Sequence, residues 1–580
     1  MQKRIASVYF LLPLVLASCG DAGTPTIEYT YTDVEGDKIK VLYSDECFDT
    51  PSDEPSLRLA HLSMCIDFLS DRDLTDVPPT ETSHIQKFYE AIGFSNCYFS
   101  PSYYQPTTLT SCAYSFASKK LVNGESAVIV SVCSGGYKNE WAGNFVLGLE
   151  GDAVGFLDPA KNVLDALKDY VRGYVSGPTN LFLAGYSRGG AILNLACGMI
   201  DDEIYGKPAS WGQAEISWEN TYCYALETPA ASIRTDYADA KFDNIHNYSN
   251  INDMIPLLAP STWGFHALGQ KHYLSDRLTD INYPQRRDAF LKALKDVAPK
   301  GTKYPIDTWR TADSSIEANP SLSRAERSYL VGKIAEWIGD RTTYVNEYQE
   351  SVEWIFLFYY GSDDGEYLVK TVKANLIGLF FRLDDLKSAL TLIQEHDYPA
   401  AEAKILEIFD AVISDEGRTH AILEEAFPHV EPLFGIIASA YAEEGSASIT
   451  DIVNYLTATV FSHLRVSIAS WMAAVDSPYG YGGDDTWIND GTYYRLAVPA
   501  VDTFTLSLED GTPLLSYRGG KFGDTVLSAE IIDGELSIYL PKNASYQYEG
   551  GSENNLSLFD VNADCEEILI RSNMPASGTI

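Results

Sequence analysis

Basic side chains are the clearest shortage in this sequence of 580 residues. It holds 42 Lys and Arg against 81 Asp and Glu, which gives a formal net charge of −39. Proteins that bind nucleic acid neutralise its phosphates with a basic surface, so we expect no nucleic-acid partner. An acidic excess of this size indicates instead a chain that stays dispersed in water through self-repulsion.

Metal-binding motifs are also lacking. The nine cysteines include no C-x-x-C pair, and the nine histidines form no H-E-x-x-H sequence. Spacings of this kind place ligands around Zn²⁺. The sequence therefore predicts no metal site.

The N-terminus lacks a run long enough to span a membrane and has a targeting signal instead. Lys3 and Arg4 precede an apolar run from Ile5 to Leu16, which is too short for a permanent transmembrane helix. The run ends in L-A-S-C, which resembles the bacterial lipobox and implies that Cys19 is lipidated and attaches the protein to a membrane. An ordinary cleaved signal peptide is the alternative. Both interpretations predict export, and the first predicts a lipid-anchored protein of the bacterial cell envelope, on its periplasmic or cell-surface side.

Export also changes what is expected of the cysteines. An oxidising compartment permits disulfides, and two pairs are near enough in sequence to be plausible, although the pairing cannot be fixed: Cys47 with Cys65, and Cys97 with Cys112. Three further cysteines lie inside predicted strands or helices, where we expect buried free thiols: Cys133, Cys197 and Cys223.

The stretch 180–200 has the pattern of a strand, a sharp turn and a helix. Residues 181–184 form a short apolar run typical of a buried parallel strand, and residues 191–200 carry apolar side chains at helical spacing. Between them lies G-Y-S-R-G, the G-x-S-x-G of a nucleophile elbow, with Ser187 at its centre. The five letters alone are weak evidence, but the flanking strand and helix are the context that the motif requires. We therefore predict that Ser187 is a catalytic nucleophile.

A second predicted strand leads into a glycine-containing loop. The β-branched run from Ala127 to Cys133 is followed by Ser134 and Gly135. In α/β-hydrolases such a loop supplies one oxyanion donor, and the residue after the nucleophile supplies another. We therefore expect backbone N–H groups of Arg188 and of Ser134 or Gly135 to bind an oxyanion, with an ordinary strand-ending turn as the alternative.

The alternation of strands and helices predicts an α/β fold. A helix between the two strands is expected to begin at Asp158 and Pro159, as N-cap and first helical residue, and its apolar face runs from Val163 to Val171. Strand, helix, strand and helix in series imply parallel pairing and right-handed crossovers. The fold class predicted is an α/β-hydrolase core with a mostly parallel sheet, a large helical insertion and a small C-terminal all-β domain.

Asp253 is the candidate for the acid that orients the base. In this fold the chain order is serine, acid, histidine. Asp253 follows a predicted strand over 244–250, and ligands bind at the carboxyl ends of parallel strands. The alternative is a turn aspartate before a loop.

Three stretches together resemble the class 3 (fungal-lipase-like) α/β-hydrolases: 185–190, 224–229 (Y-A-L-E-T-P) and 250–256 (N-I-N-D-M-I-P). The loop 134–141 is similar to the oxyanion segment of bacterial lipase-family proteins in that group. It departs from their usual pattern, which has arginine and glycine where this chain has Cys133 and Ser134. The resemblance implies hydrolysis of carboxylic esters.

Two histidines are candidates for the base. His266 lies 13 residues after Asp253, and in many class 3 lipases a histidine does follow in an aromatic-rich segment. His463 precedes Trp471 by eight residues, which resembles the segment that closes the catalytic domain of the bacterial lipase-family proteins. The resemblance favours His463, with His266 as the alternative.

Composition and pattern divide the chain into consecutive parts. These are a lipoprotein signal peptide (1–19), a flexible tether (20–27), an N-terminal elaboration with the α/β-hydrolase core (28–284), a helical insertion (285–460), the end of the catalytic domain with the candidate histidine (461–492) and a C-terminal β-rich module (493–580). The insertion is a candidate lid, although its apolar runs fit the internal core of a helical subdomain equally well.

Together these features predict an exported, lipid-anchored serine hydrolase of the lipase or esterase type. Ser187, activated by His463 and aligned by Asp253, would attack a lipid or other ester without a cofactor. A peptidase or acyltransferase with the same triad is an alternative. A catalytically inactive, hydrolase-like surface binding protein is another.

Overall fold

The first half of the chain builds a large sheet with helices on both of its faces. The computed structural model describes residues 26–580 except for 34–35, 71–83, 106, 134–139, 300–331, 333–334, 443–457, 484–489, 501–502, 524, 533, 552–554 and 564–566. In chain order the elements of this half are β1 (Ile27–Thr32), β2 (Lys38–Tyr43), α1 (Leu57–Leu69), α2 (His84–Ala91), β3 (Ser95–Phe99), β4 (Tyr114–Lys120), β5 (Ser126–Val132), α3 (Glu140–Gly143), α4 (Val154–Tyr174), β6 (Ser176–Tyr186), α5 (Arg188–Ile204), β7 (Ala209–Trp211), β8 (Gln213–Leu226), β9 (Ile245–Ser249) and β10 (Gln270–Tyr273).

The second half begins with helices and ends with short strands. The helices are α6 (Tyr283–Val297), α7 (Arg341–Thr343, continued by a π-helical turn Tyr344–Tyr348), α8 (Gln349–Gly361), α9 (Asp363–Ala374), α10 (Leu376–Phe380), α11 (Leu383–Gln394), α12 (Tyr398–Val412), α13 (Arg418–Ala442) and α14 (Arg465–Val475). The strands are β11 (Tyr493–Pro499), β12 (Thr503–Leu508), β13 (Pro513–Arg518), β14 (Lys521–Phe522), β15 (Ala529–Ile532), β16 (Glu535–Pro541), β17 (Tyr546–Gly550), β18 (Leu556–Val561), β19 (Glu567–Met574) and β20 (Ser577–Thr579).

The large sheet has the strand order β10-β9-β8-β6-β5-β4-β3, with β7 beside β8. The five strands from β5 to β10 in this order pair in parallel, whereas β4 and β3 pair antiparallel. Helix α4 connects β5 to β6, and α5 connects β6 to β8. The predicted fold class, a mostly parallel α/β sheet, is confirmed.

Alternate residues of the central strands enter two different cores. On β6, Leu181 and Leu183 pack with α4 and α5, while Phe182 and Ala184 pack on the opposite face with α1 and α14. Every residue of β5 is buried as well. Because both faces of these strands leave water, they appear in the sequence as continuous apolar runs.

Helix α4 begins earlier than the sequence predicts. It starts at Val154, and Pro159 lies inside it. The first turn is held by the Gly155 N–H, which donates to the Val146 carbonyl over 2.9 Å. This contact comes from the preceding loop, so the Asp-Pro signal for a helix start was wrong here.

The helices of the second half pack less completely than the sheet. Three large apolar side chains at and just after α10 face water: Ile377 is 76% exposed, Phe380 66% and Phe381 81%. Helix α8 contacts the first half through Phe356, whose ring lies 5.7 Å from that of Trp141 on α3. Of the helices described, none has the length and apolar character needed to cross a membrane.

The C-terminal strands form two five-stranded sheets. Their orders are β15-β16-β11-β18-β19 and β14-β13-β12-β17-β20, and every pairing is antiparallel. The C-terminal all-β part of the predicted fold is therefore present. It contacts the large sheet where Ala563 packs with Ile251 and Tyr273, next to the loop that carries Asp253.

The seven cysteines within the described residues are all free thiols. The plausible pairs Cys47 with Cys65 and Cys97 with Cys112 are therefore not bonded, and closeness in sequence was not enough to predict a disulfide. As expected, three others are buried thiols: Cys133, Cys197 and Cys223. Cys19 and the signal peptide lie outside the described residues.

Candidate active site

Ser187 lies at the turn between β6 and α5. Its φ of 50° and ψ of −123° fall in a region that L-residues rarely adopt. The turn is held by the Ser187 N–H, which donates to the Leu226 carbonyl of β8 over 2.8 Å. The side chain is half-buried at the positive end of α5. This is the geometry of a nucleophile elbow.

The glycines around Ser187 are required by close backbone contacts. A Cβ at Gly185 would lie 2.7 Å from the Gly189 carbonyl carbon, and one at Gly189 would lie 2.3 Å from the Val132 carbonyl oxygen. At Gly190 a Cβ would meet the Thr228 hydroxyl at 2.7 Å. Each added carbon would lie closer to these atoms than van der Waals contact allows, so only glycine fits at the three positions.

Asp253 follows β9, at the carboxyl edge of the sheet. Its backbone N–H donates to the Asn250 carbonyl over 2.9 Å, which fixes the turn. The side chain has no exposure, and its Oδ1 accepts the Ile255 N–H over 2.9 Å. The remaining oxygen, Oδ2, is directed at an imidazole.

That imidazole belongs to His463, at the end of the helical stretch 458–463 and just before α14. Its Nδ1 lies 2.5 Å from Asp253 Oδ2, and its Nε2 lies 2.9 Å from Ser187 Oγ. The ring is 16% exposed and tilts against Tyr186, with ring centroids 5.2 Å apart. Ser187, His463 and Asp253 therefore form a continuous hydrogen-bonded chain.

His266, the alternative base, lies elsewhere in the fold. Its ring stacks on Tyr237 with centroids 3.8 Å apart. Its backbone forms a bridge with Ser232, to whose carbonyl the His266 N–H donates over 2.7 Å. These contacts keep the His266 ring against Tyr237, and the structure brings His463 to Ser187 instead.

The candidate oxyanion donors are described only in part. Arg188 is the first residue of α5, but Ser134 and Gly135 lie outside the described residues. The Arg188 side chain is fully buried below the elbow, where it donates to Asn144 Oδ1 over 3.1 Å and to the Leu109 carbonyl over 3.0 Å. Burial lowers the pKa of the guanidinium, while the nearby Glu140 carboxyl acts in the opposite direction.

Glu227 is a residue at this site that the sequence did not single out for a role. It follows β8, is fully buried and has a positive φ of 46°. One ligand atom each from Glu227, Asp253 and His463 lie within 4.8 Å of one another. An acid directly after the apolar end of a strand, at the edge where Asp253 lies, is the signal that could have identified it.

No family model matches the chain, and no curated protein matches it. Solved structures that are similar to it include a triacylglyceride lipase of Rhizomucor miehei, at 14% identity over 38% of this chain and 79% of that chain, with a TM-score of 0.26. A mono- and diacylglycerol lipase from Aspergillus oryzae is 15% identical over 38% of this chain and 81% of that chain, with a TM-score of 0.27. A lipase from Rhizopus microsporus var. chinensis is 13% identical over 38% and 75% of the two chains, with a TM-score of 0.26. The neighbours are thus fungal lipases, whereas the α/β-hydrolase fold of this chain rests on its own strand order and elbow.

Proposed function

We propose that this protein is a serine hydrolase that cleaves carboxylic esters, with Ser187 as nucleophile, His463 as base and Asp253 as the acid that orients the base. The observation that carries the proposal is the chain of contacts at the elbow, 2.9 Å from Ser187 Oγ to His463 Nε2 and 2.5 Å from His463 Nδ1 to Asp253 Oδ2. A serine hydroxyl is a poor nucleophile at neutral pH unless a base accepts its proton. The arrangement supplies that base.

Each residue then has a defined task in the reaction. His463 Nε2 accepts the Ser187 proton as Oγ attacks the ester carbonyl, while Asp253 keeps the proton on Nδ1 and stabilises the imidazolium. Backbone N–H groups of Arg188 and of the 134–135 loop bind the oxyanion of the tetrahedral intermediate. His463 returns the proton to the leaving alcohol, and water then hydrolyses the acyl-enzyme by the same route. None of these steps uses a cofactor.

Covalent labelling tests this assignment. A fluorophosphonate probe should label the parent protein and fail to label Ser187→Ala, because the probe reacts with an activated serine. Ser388→Ala is a matched control, since this exposed serine lies on α11 and its hydroxyl donates to the Asp384 carbonyl of the same helix over 2.9 Å. Equal labelling of the parent and Ser187→Ala would overturn the proposal, as would absence of labelling in both.

The substrate class is proposed as a lipid or other carboxylic ester. A panel of p-nitrophenyl esters of different acyl length, an emulsified triacylglycerol and matched p-nitroanilides separates the possibilities. Turnover of the esters, abolished by Ser187→Ala, supports an esterase or lipase. Turnover of the anilides alone would assign a peptidase instead.

We further propose that the protein is exported and lipid-anchored in a bacterial envelope through Cys19. The support is the charged start, the apolar run and the L-A-S-C sequence of residues 1–19. Expressed in a bacterial host with labelled palmitate, the parent should incorporate label and partition into detergent. Cys19→Ala should lose both properties, and Cys97→Ala should keep them. Incorporation that persists in Cys19→Ala would overturn this assignment.

A further inference from the structure

Glu227 is a buried acid in contact with the site for which the mechanism above has no task. Its backbone has a positive φ of 46°, and its N–H donates to the Tyr248 carbonyl over 2.8 Å. Left-handed backbone is unfavourable for a glutamate, so contacts with the surrounding fold must hold it there. The chain keeps this residue in an unfavourable conformation that brings its carboxyl group to Asp253.

The two oxygens of the Glu227 carboxyl have different surroundings. Oε1 accepts the Asn250 N–H over 2.7 Å. Oε2 is fully buried and finds no hydrogen-bond donor among the described residues. One oxygen of the Glu227 carboxyl lies within 4.8 Å of an oxygen of the Asp253 carboxyl, and a charged carboxylate can only accept a hydrogen bond. Oε2 is therefore satisfied only if it carries a proton and donates it.

The carboxyl groups of Glu227 and Asp253 are close together and buried from water, so they cannot both be ionised. Asp253 has two donors for its charge, the Ile255 N–H and His463 Nδ1, so the negative charge stays on Asp253. Burial raises the pKa of Glu227 well above its ordinary value, and the charge of Asp253 and a hydrogen bond to it raise it further. The proton therefore stays on Glu227.

We propose that Glu227 is a positioning residue that donates a hydrogen bond from its neutral carboxylic acid to Asp253 and so holds the Asp253 carboxylate in line with His463. This inference rests on the function proposed above, because it concerns the same three residues. Glu227 does not touch the reacting atoms. It acts through Asp253, and the two are called the carboxyl pair below.

A shared proton fits these residues better than a shared metal ion does. Three such ligands could in principle bind a small cation. However, Asp253 Oδ2 and His463 Nδ1 are only 2.5 Å apart. Two ligands that each lie about 2.0–2.2 Å from one tetrahedral Zn²⁺ are separated by more than about 3 Å. The observed distance is that of a hydrogen bond.

Other ionisable groups lie next to the carboxyl pair or next to Tyr186, which packs beside the pair. Tyr186 of β6 is buried against the pair, and burial and the charge of Asp253 raise its pKa. Asp67 of α1 and Arg465 of α14 form an ion pair of 3.7 Å beside Tyr186, and His463 completes the surroundings. Loss of the Glu227 proton at alkaline pH would add a second buried negative charge. Its repulsion would move the Asp253 carboxylate out of line with His463, so labelling of the parent should decline at alkaline pH.

The test compares Glu227→Gln with Glu227→Ala by the rate of fluorophosphonate labelling as a function of pH. Glutamine keeps an N–H donor for Asp253 but cannot lose a proton. Alanine leaves Asp253 without that donor. Labelling at neutral pH should fall on the order of 10- to 100-fold, by analogy with the loss of a group that orients a metal ligand. Glu227→Gln should recover most of that loss. It should also lack the alkaline decline that the parent shows.

Asp201→Asn is the matched control. Asp201 is another buried acid, with its pKa raised to about 8, but it lies 14 residues along α5 from Ser187, roughly 20 Å away. Its variant should keep the alkaline decline of the parent.

Two results would overturn the proposal: equal losses in Glu227→Gln and Glu227→Ala, or an alkaline decline that persists in Glu227→Gln. If Glu227→Ala does not fold, judged by circular dichroism, the pH profile of Glu227→Gln decides alone. Absence of Ser187-dependent labelling in the parent removes the proposed function and this inference together. Labelling of the parent with either overturning result removes only the role of Glu227.

Discussion

The elbow and the helical region after α6 differ in how closely each residue is constrained. Around Ser187, close contacts at three glycines leave no space for a Cβ, and the strand before it is buried on both faces. On α10, by contrast, Ile377 and Phe380 lie largely in water. At the elbow, one added carbon atom would disturb the backbone. On α10, large apolar side chains lie outside the core.

The two regions differ in how far a sequence pattern determines the structure. At the elbow the glycines of the G-x-S-x-G pattern make close backbone contacts, and a larger residue at any of them would break these contacts. In the helical region apolar spacing predicts helices, but it does not tell which faces will be covered. Substitutions at the elbow should therefore change activity and stability more than substitutions in the helical region.

The first test asks which histidine acts as the base for Ser187. His463→Ala should lower kcat/KM for an ester on the order of a thousandfold or more, since the base of a serine triad is lost. His266→Ala should lower it less than about tenfold, because this ring stacks on Tyr237. Initial-rate kinetics on purified, folded variants measures both. Similar losses for the two histidines would contradict the assignment.

The second test adds one methyl group in each region. In Gly189→Ala the new Cβ would lie 2.3 Å from the Val132 carbonyl oxygen, a backbone atom of the central sheet. We expect a loss of at least about 2 kcal/mol in the free energy of unfolding, since the sheet cannot move aside. In Gly378→Ala the nearest atom is a Val412 methyl at 2.5 Å, on a half-buried side chain, and the short helix α10 with its exposed residues can shift away from it. There the gain of about 0.5–1 kcal/mol from replacing a helical glycine offsets the contact. Urea unfolding measures both changes. Equal losses in the free energy of unfolding for Gly189→Ala and Gly378→Ala would contradict the difference between the two regions.

The third test uses pH at the far end of α5. Burial raises the pKa of Asp201 to about 8, above the unfolded value of about 3.9. Between these values the folded protein keeps a proton that the unfolded chain releases, so stability falls as pH rises through this window. Asp201→Asn should therefore show a smaller decrease in Tm from pH 5 to pH 8 than the parent. Identical decreases would show that the Asp201 carboxyl is ionised throughout.

The smallest effect is expected in the helical region. Phe381 is 81% exposed, so Phe381→Ser should change the free energy of unfolding by less than about 0.5 kcal/mol. Urea unfolding measures this change. A loss as large as that of Gly189→Ala would mean that the Phe381 side chain is covered in solution.

The sequence predicted the parts of the site that depend on local structure. Strand β6, the elbow and α5 follow from an apolar run, a G-x-S-x-G and helical spacing within 180–200. Asp253 was predicted from its place at the end of a strand. The structure places both Ser187 and Asp253 at the ends of strands, as predicted, because the position of each one is set by the segment next to it in the chain.

The remaining features depend on neighbours that are remote in sequence. His463 reaches Ser187 across 276 residues, so spacing alone could not choose it over His266. Glu227 gains its role only from a second acid brought close by the next strand, β9. The start of α4 is set by a contact with Val146, which outweighs its Asp-Pro signal. In each case the result depends on a tertiary contact that local sequence preference does not predict.

The separation of 276 residues between Ser187 and His463 also has a consequence for synthesis. At about 5–20 residues per second, a ribosome needs roughly 15 to 55 seconds to pass from one to the other. During that interval the nascent polypeptide contains Ser187 but not His463. On the mechanism proposed above, a translation product that ends within this stretch lacks the base and should not react with a fluorophosphonate probe.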